Sequence, residues 1–392
     1  MSAIHEPSPR RSPVLHSRLP HVGTTIFTVM SALAQQCGAI NLGQGFPDFD
    51  PDPALLDAVN AAMRAGHNQY PPMAGIPQLR AALAEKIAGL HGVMYDPDDE
   101  ITITAGATQA LLTAILAVVH PGDEVIVLTP AYDSYAPAIE LAGGVPRFIK
   151  LDANYRPDFA AIAAAISPRT RALLVNSPHN PSGRIWTLED VQRLRDLLAP
   201  TNIVLIADEV YEHMVFDGQR HHSMAADPSL AARSFVVSSF GKTYHVTGWK
   251  VGMVAAPREL MREFRKVHQF NVFTVNTPMQ HALAHYLRTK PEAHQQLAAF
   301  YQAKRDRFRQ GLAATKLRLL PCEGTYFQCA DYSALSDLPE AEFCQWLTRE
   351  VGVVAIPLSA FHPQPEERQT VRFCFAKREA TLDAALQSLA KI

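Results

Sequence analysis

The chain has 392 residues, 47% of them hydrophobic, which is enough for a large core and implies two domains rather than a small disordered or disulfide-stapled protein. Its 36 basic side chains nearly balance 38 acidic ones, so no field for a polyanion is implied and nucleic acid is not an expected partner. The five cysteines, Cys37, Cys322, Cys329, Cys344 and Cys374, lie far apart without a CxxC pair, and are read as buried packing thiols in a reducing compartment.

The first residues contain Pro7, Pro9, Arg10, Arg11 and Pro13 but nothing like the apolar core of a signal peptide. The apolar stretch Ala110 to Val119 stops at His120 and Pro121, short of the roughly 20 residues a membrane helix needs. A cytoplasmic protein with no membrane partner is expected.

Short β-branched runs recur at Ile101 to Thr104, Glu124 to Leu128, Ala172 to Val175, Ile203 to Ala207 and Phe235 to Val237, with helical segments between them. This alternation predicts an α/β fold around a parallel sheet. Val251 to Ala255 follows too soon for a helical crossover, so it predicts an antiparallel member and a mixed sheet. Beyond Pro291 the texture changes: a polar helical stretch to Ala314 precedes the runs Tyr326 to Ala330, Val353 to Ile356 and Arg372 to Phe375, which read as a smaller α+β domain. The expected division is an N-terminal arm over residues 1–51, which also supplies part of the small domain, a large domain over 52–290 and a small C-terminal domain over 291–392. No internal repeat or low-complexity segment is present.

Ligands of open α/β sheets gather at the carboxyl ends of the strands, and here the residues that follow the apolar runs are polar. After Ile101 to Thr104 come Ala105, Gly106, Ala107, Thr108 and Gln109, a turn of small residues that lets backbone amides approach a phosphate, or that is simply a tight connection. Ile203 to Ala207 ends in Asp208, Glu209, Val210 and Tyr211, which looks like the magnesium-binding element of ATPases. That reading fails because the only Gly-Lys-Thr, Gly241 to Thr243, has Val236 where a phosphate loop needs glycine, and no GxGxxG is present for a dinucleotide. Phe235 to Val237 leads through Ser238, Ser239, Phe240 and Gly241 to Lys242. An ammonium so close to a buried strand snorkels to water, or has the lowered pKa that Schiff-base chemistry uses.

The combination is more specific than any one motif. Asn180-Pro181-Ser182-Gly183, Asp208 to Tyr211, Ser239 to Lys242 and Gly248-Trp249-Lys250 occur in an order and spacing that resembles the class I aminotransferases of pyridoxal-phosphate fold type I. The resemblance runs from NLGQGFPDF at Asn41 to VRFCFAK at Val371. It is strongest to the kynurenine and glutamine transaminase branch, and within it to the bacterial methionine aminotransferases, through GTTIFTVMSALAQQ, TAGATQAL, SSFGKTYHVTGWKVG and LPCEGTYF.

That resemblance implies a large domain with a mostly parallel seven-stranded sheet, and pyridoxal 5'-phosphate as the cofactor. By the same resemblance, Lys242 holds the cofactor as a Schiff base and later moves the substrate's α-proton. Asp208 pairs with the ring nitrogen, while Asn180 and Tyr211 hydrogen-bond the ring's 3' oxygen. Tyr132 stacks on the ring. Ala107, Thr108, Ser239 and Lys250 hold the phosphate, with lysine at position 250 where aspartate aminotransferases have arginine. Tyr70 reaches the phosphate of a neighbouring subunit, which implies a homodimer. Arg372 and Asn180 hold the substrate α-carboxylate, Gly45 closes over the substrate, and Phe27 lines its pocket. The reaction implied is transamination between an apolar, sulfur-containing or aromatic amino acid, methionine foremost, and a 2-oxo acid.

Carbon–sulfur β-elimination on the same cofactor is the rival chemistry. A non-catalytic cofactor-sensing regulator is the rival of another class, disfavoured because the residues before 21 leave no room for a DNA-binding domain. No metal site is expected, since His281 and His285, spaced i, i+4, have no third ligand near them in sequence. His221 and His222 are read as solvated loop residues.

Overall fold

The computed structural model describes residues 15–363, 366 and 368–392. Pro7 to Pro13, and with them the first part of the expected N-terminal arm, lie outside the described residues.

A seven-stranded sheet forms the centre of the molecule. In chain order its strands are β1 (Ile101–Thr104), β2 (Glu124–Thr129), β3 (Val145–Lys150), β4 (Thr170–Asn176), β5 (Val204–Asp208), β6 (Ser234–Ser239) and β7 (Gly252–Ala255). In space they run β1-β7-β6-β5-β4-β2-β3. The neighbours β6-β5-β4-β2-β3 pair in parallel, and β7 is antiparallel to both β1 and β6, as its short connection to β6 requires. Residues of β1, β2 and β6 are buried throughout, because helices cover both faces and each strand must be apolar on both sides.

β3 is the strand that no apolar run announces. Val145–Lys150 lies at the sheet edge with most of its residues exposed, so it has no need of continuous hydrophobicity.

A second, antiparallel sheet is built from β8 (Arg318–Leu319), β9 (Phe327–Asp331), β10 (Ile356–Pro357) and β11 (Thr370–Cys374), in the order β10-β11-β9-β8. The expected single strand Val353 to Ile356 divides between two partners. Val353 and Val354 pair in parallel with Ile40 and Asn41, whereas Ile356 and Pro357 pair with Arg372 and Val371. The residues near 40 are thereby tied to the C-terminal third of the chain.

Three helices position the site. α1 (Ile26–Cys37) starts on Thr25, whose hydroxyl accepts from Thr28 N, and ends on Gly38 in the left-handed conformation at φ 61°. α2 (Gly106–Val118) follows β1 directly and has no side-chain cap, so its first amides are left for another acceptor. α3 (Tyr135–Leu141) buries Tyr135, Ala138 and Ile139 beside the sheet. Four of the five cysteines are buried as expected, but Cys37 is exposed, because it stands on the last turn of α1, and all five are free thiols. Among the described residues no helix is long and apolar enough to cross a membrane.

Candidate active site

One cavity of about 320 Å³ lies over the carboxyl ends of β1, β2, β4, β5 and β6. Each strand delivers one or more side chains to it. β1 ends at the Gly106 to Thr108 turn, β2 leads to Tyr132, and β4 ends at Asn176 and leads to Asn180. β5 ends at Asp208, with Val210 and Tyr211 beyond it, and β6 ends at Ser239 just before Lys242. The C-terminal sheet closes the other side with Phe327 and Arg372, and Phe27, Gln44 and Gly45 complete the rim.

Lys242 stands on a single helical turn, Phe240–Thr243, immediately after β6. Its Nζ donates to Tyr326 Oη at 2.7 Å and to the Gly45 carbonyl at 3.1 Å, with no carboxylate among these partners. Burial therefore dominates and lowers the amine to about 8, with Arg372 and Lys250 pushing the same way. Asp208 shows the complementary effect: burial raises its carboxyl to about 6, although Tyr135, the Val210 amide and Lys242 all pull it down. Tyr135 Oη donates to Asp208 Oδ2 at 2.6 Å and Val210 N to Oδ1 at 3.3 Å, so the carboxylate has a fixed direction, while Asn176 Nδ2 donates to the Asp208 backbone carbonyl at 2.8 Å.

The opposite end of the cavity is built for an anion. Gly106 has φ +76°, and a Cβ there would come within 3.2 Å of Lys250 Nζ, so only glycine lets the turn and the lysine approach this closely. Lys250 itself sits at φ 53°, an uncommon conformation for a non-glycine residue that is tolerated where function requires it. The uncapped N-terminus of α2 lies beside Lys250, Ser239 lines the same cavity, and Asp208 is the carboxylate of that lining. A helix N-terminus beside a lysine, a buried carboxylate and a buried amine are the groups that would suit the phosphate, ring nitrogen and aldehyde of pyridoxal 5'-phosphate.

Arg372 projects from β11 and is 1% exposed. Nη1 donates to Asn180 Oδ1 at 2.6 Å and Nη2 to the Gly43 carbonyl at 3.2 Å. Nε is buried without a partner, which leaves Nε–H and one hydrogen on each Nη for a bidentate carboxylate. The guanidinium plane is held by aromatic rings, with its carbon 3.9 Å from the centre of Phe327, 4.8 Å from Phe361 and 5.4 Å from Phe27.

The segment from Gly43 to Phe46 forms the roof, and each of its carbonyls meets a cation. Gly43 O accepts from Arg372, Gln44 O and Phe46 O from the buried Lys377 at 3.3 and 2.8 Å, and Gly45 O from Lys242. Gly45 is confined sterically, since a Cβ there would lie 2.9 Å from Phe327 Cζ.

Thus Ala107, Thr108, Tyr132, Asn180, Asp208, Tyr211, Ser239, Lys242, Lys250, Gly45, Arg372 and Phe27 all line one cavity, drawn from positions 27 to 372 of the chain. Tyr70 does not: it is 81% exposed, and its ring packs edge-on against Phe273 at 5.3 Å. Tyr135 and Asn176 belong to the site although no motif marks them, and Tyr326 and Phe327, which close the LPCEGTYF motif, belong to it although the resemblance assigned them no role. Asn176 is detectable as the polar end of an apolar strand, whereas Tyr135 carries no local signal and the motif around Tyr326 does not reveal its partner.

The reading of His221 as solvated is wrong. Its side chain is largely buried and hydrogen-bonds Glu209 at 2.8 Å, and Glu209, against the opposing effect of burial, raises its pKa. His281 stacks on His67 with ring centres 3.6 Å apart, and no group of metal-ligating side chains occurs among the described residues.

Comparison with known proteins shows the family. A family model described as "Aminotransferase class I and II" matches residues 38–389. The chain is 52% identical to the methionine aminotransferase of Escherichia coli, over 96% of this chain and 98% of that protein. It is 34% identical to kynurenine–oxoglutarate transaminase 1 of Rattus norvegicus, over 95% of this chain and 97% of that one. An Escherichia coli crystal structure reported with a methionine aminotransferase function superimposes with a TM-score of 0.96 at 51% identity, covering 97% of this chain and all of that one.

Proposed function

The chain belongs to the class I and II aminotransferases, enzymes of fold type I that depend on pyridoxal 5'-phosphate, and on that premise we propose that it transaminates methionine and similar apolar amino acids with a 2-oxo acid acceptor. One observation carries the substrate class. The guanidinium of Arg372 is ringed by Phe27, Phe327 and Phe361, and the cavity's other cations are Lys242 and the phosphate-end Lys250. A carboxylate is answered at Arg372, while the neighbouring wall offers rings rather than a second fork for a dicarboxylate.

Bound pyridoxal 5'-phosphate supplies an aldehyde for amines and a ring that draws electrons from the carbon beside the nitrogen. The protein's part follows from the side chains. Lys242 provides the amine that holds the aldehyde and then takes the substrate's α-proton on Nζ. With a pKa of about 8, about a tenth of it is neutral at pH 7. Asp208 would keep the ring nitrogen protonated, because a carboxylate beside it favours the charged form. Asn180 and Tyr211 would hold the ring's 3' oxygen, and Tyr132 would pack against the ring. The amides of Ala107 and Thr108, with Ser239 and Lys250, take the phosphate. Arg372 orients the α-carboxylate so that the Cα–H bond faces Lys242, with Gly45 above it and Phe27 beside the side chain.

The proposal extends to domains, assembly and location. Residues 1–51, 52–290 and 291–392 form arm, large domain and small domain, in keeping with sheets confined to 101–255 and 318–374 apart from the short pairing of Ile40 and Asn41 with Val353 and Val354. Two chains form a homodimer in which Tyr70, exposed here with Phe270 and Phe273, reaches the partner's phosphate. The free cysteines fit a reducing compartment such as the cytoplasm.

The test is borohydride reduction of the cofactor-loaded protein followed by peptide mapping, with an initial-rate panel of methionine, glutamine, phenylalanine, kynurenine and aspartate. A reduced adduct on Lys242 and fastest turnover of methionine are expected, and Lys242→Ala should show neither. A strong preference for aspartate overturns the substrate class. Pyruvate or thiol release without an acceptor would make elimination the main reaction.

A further inference from the structure

Tyr326 is fully buried, packed edge-on between Tyr211 and Phe327 with ring centres 5.2 and 4.9 Å away, so its hydroxyl has one available position. That hydroxyl donates to the Gly45 carbonyl at 2.6 Å and accepts from Lys242 Nζ at 2.7 Å. The same carbonyl accepts a hydrogen from Nζ at 3.1 Å, using its second lone pair. A neutral amine has two hydrogens and one lone pair. Here the oxygens of Tyr326 and Gly45 stand on one side of Nζ, 2.6 Å from each other, so the amine's hydrogens are drawn to that side and the lone pair is left to another direction, toward the cavity that Lys242 lines.

We propose that Tyr326 is a positioning residue for the amine of Lys242, which it holds with Gly45 so that the lone pair faces the substrate α-carbon whenever that amine is not bonded to the aldehyde. The inference rests on the reading of Lys242 as the proton carrier. No proton leaves Tyr326 in this arrangement: its hydrogen stays on the bond to Gly45 O, and the α-proton moves to Nζ alone. Burial holds the phenol well above its ordinary pKa, which keeps it a donor throughout the working range.

The deciding experiment uses Tyr326→Phe, which retains the ring and its packing and removes only the oxygen. In the loaded enzyme kcat for methionine should fall about tenfold, as expected for losing one orienting hydrogen bond, with KM within about twofold. The primary isotope effect from α-deuterated methionine should rise, since proton abstraction becomes more nearly rate-limiting. In the cofactor-free protein, the pH dependence of Lys242 labelling, followed by mass spectrometry, should move to lower pH, because the ammonium loses an acceptor.

Wild-type kcat, isotope effect and labelling midpoint in the variant would overturn the proposal, as would a rise in KM alone, which marks a mere pocket wall. An unchanged melting temperature excludes misfolding, and should the variant misfold, Gly45→Ala, which displaces the same carbonyl against Phe327, must reproduce the labelling shift. If the wild-type protein gives no borohydride-stable adduct on Lys242, the parent reading is what fails. The labelling of cofactor-free protein then still decides whether Tyr326 holds the amine.

Discussion

Removal of one hydroxyl behind Asp208, by Tyr135→Phe, should change cofactor affinity in a manner that depends on pH. Tyr135 is 3% exposed and donates to Asp208 Oδ2 at 2.6 Å, and the variant keeps its ring against Tyr132. A hydrogen bond to a charged acceptor is worth about 1.5–3 kcal/mol, against about 1 kcal/mol for a neutral one. The difference, about 1.4 kcal/mol, corresponds to one pKa unit, so the Asp208 carboxyl should move from about 6 to roughly 7. Binding of the ring with its nitrogen protonated requires the carboxylate, so free protein must first lose that proton wherever pH lies below the pKa. Below about pH 6 the variant therefore binds pyridoxal 5'-phosphate about tenfold more weakly than wild type. Above about pH 8 both free proteins carry the charge already and the two affinities converge. Equilibrium titrations followed by cofactor absorbance at several pH values measure this directly. A deficit of equal size at every pH, or none at pH 6, would refute the role given to Asp208.

Replacing Arg372 with Lys keeps the charge but discards the fork that Nε and the Nη groups present, so KM for methionine should rise by about 30- to 100-fold in steady-state assays. An unchanged KM would remove Arg372 from the substrate site. Acid should also unfold the protein by a definable route. Burial lowers His179, His213, His245, His268 and His294 each to about 4, so these rings resist protonation in the fold but accept it in the unfolded chain from about pH 6.5 downward. Their contribution to stability is intact above about pH 6.5 and is lost as pH falls toward 4; His221, raised by Glu209, acts in the opposite sense. Calorimetry should show a melting temperature that declines through this window, less steeply in His213→Gln, and a flat profile would contradict it.

How far the site can be read from sequence depends on what burial does to each residue. Asp208, Ser239 and Lys242 stand at or just beyond the ends of strands whose residues are otherwise largely buried and apolar, and a polar group there is a visible anomaly. β3 is not visible, because an edge strand satisfies its outward face with water and shows no apolar run. Val353 to Ile356 is visible as a strand but not as two, since every residue in it is buried and nothing in the pattern marks where the partner changes. His221 follows Asp217, Gly218, Gln219 and Arg220, a polar loop in composition, yet Glu209 draws it inward. Tyr135 and Tyr326 act through partners 73 and 84 positions away, a distance no local signal spans.

The four carbonyls from Gly43 to Phe46 carry no charge of their own, and yet they connect the residues that would touch two adjoining groups of a substrate. One short ribbon is gripped by the Arg372 guanidinium, proposed to meet the carboxylate, and by the Lys242 amine, proposed to meet the α-carbon. Lys377 clamps it on either side of Gly45. A ligand that tugs on Arg372 therefore pulls on the same peptide units that aim Lys242, so recognition at one end is mechanically coupled to alignment at the other over a span of four residues.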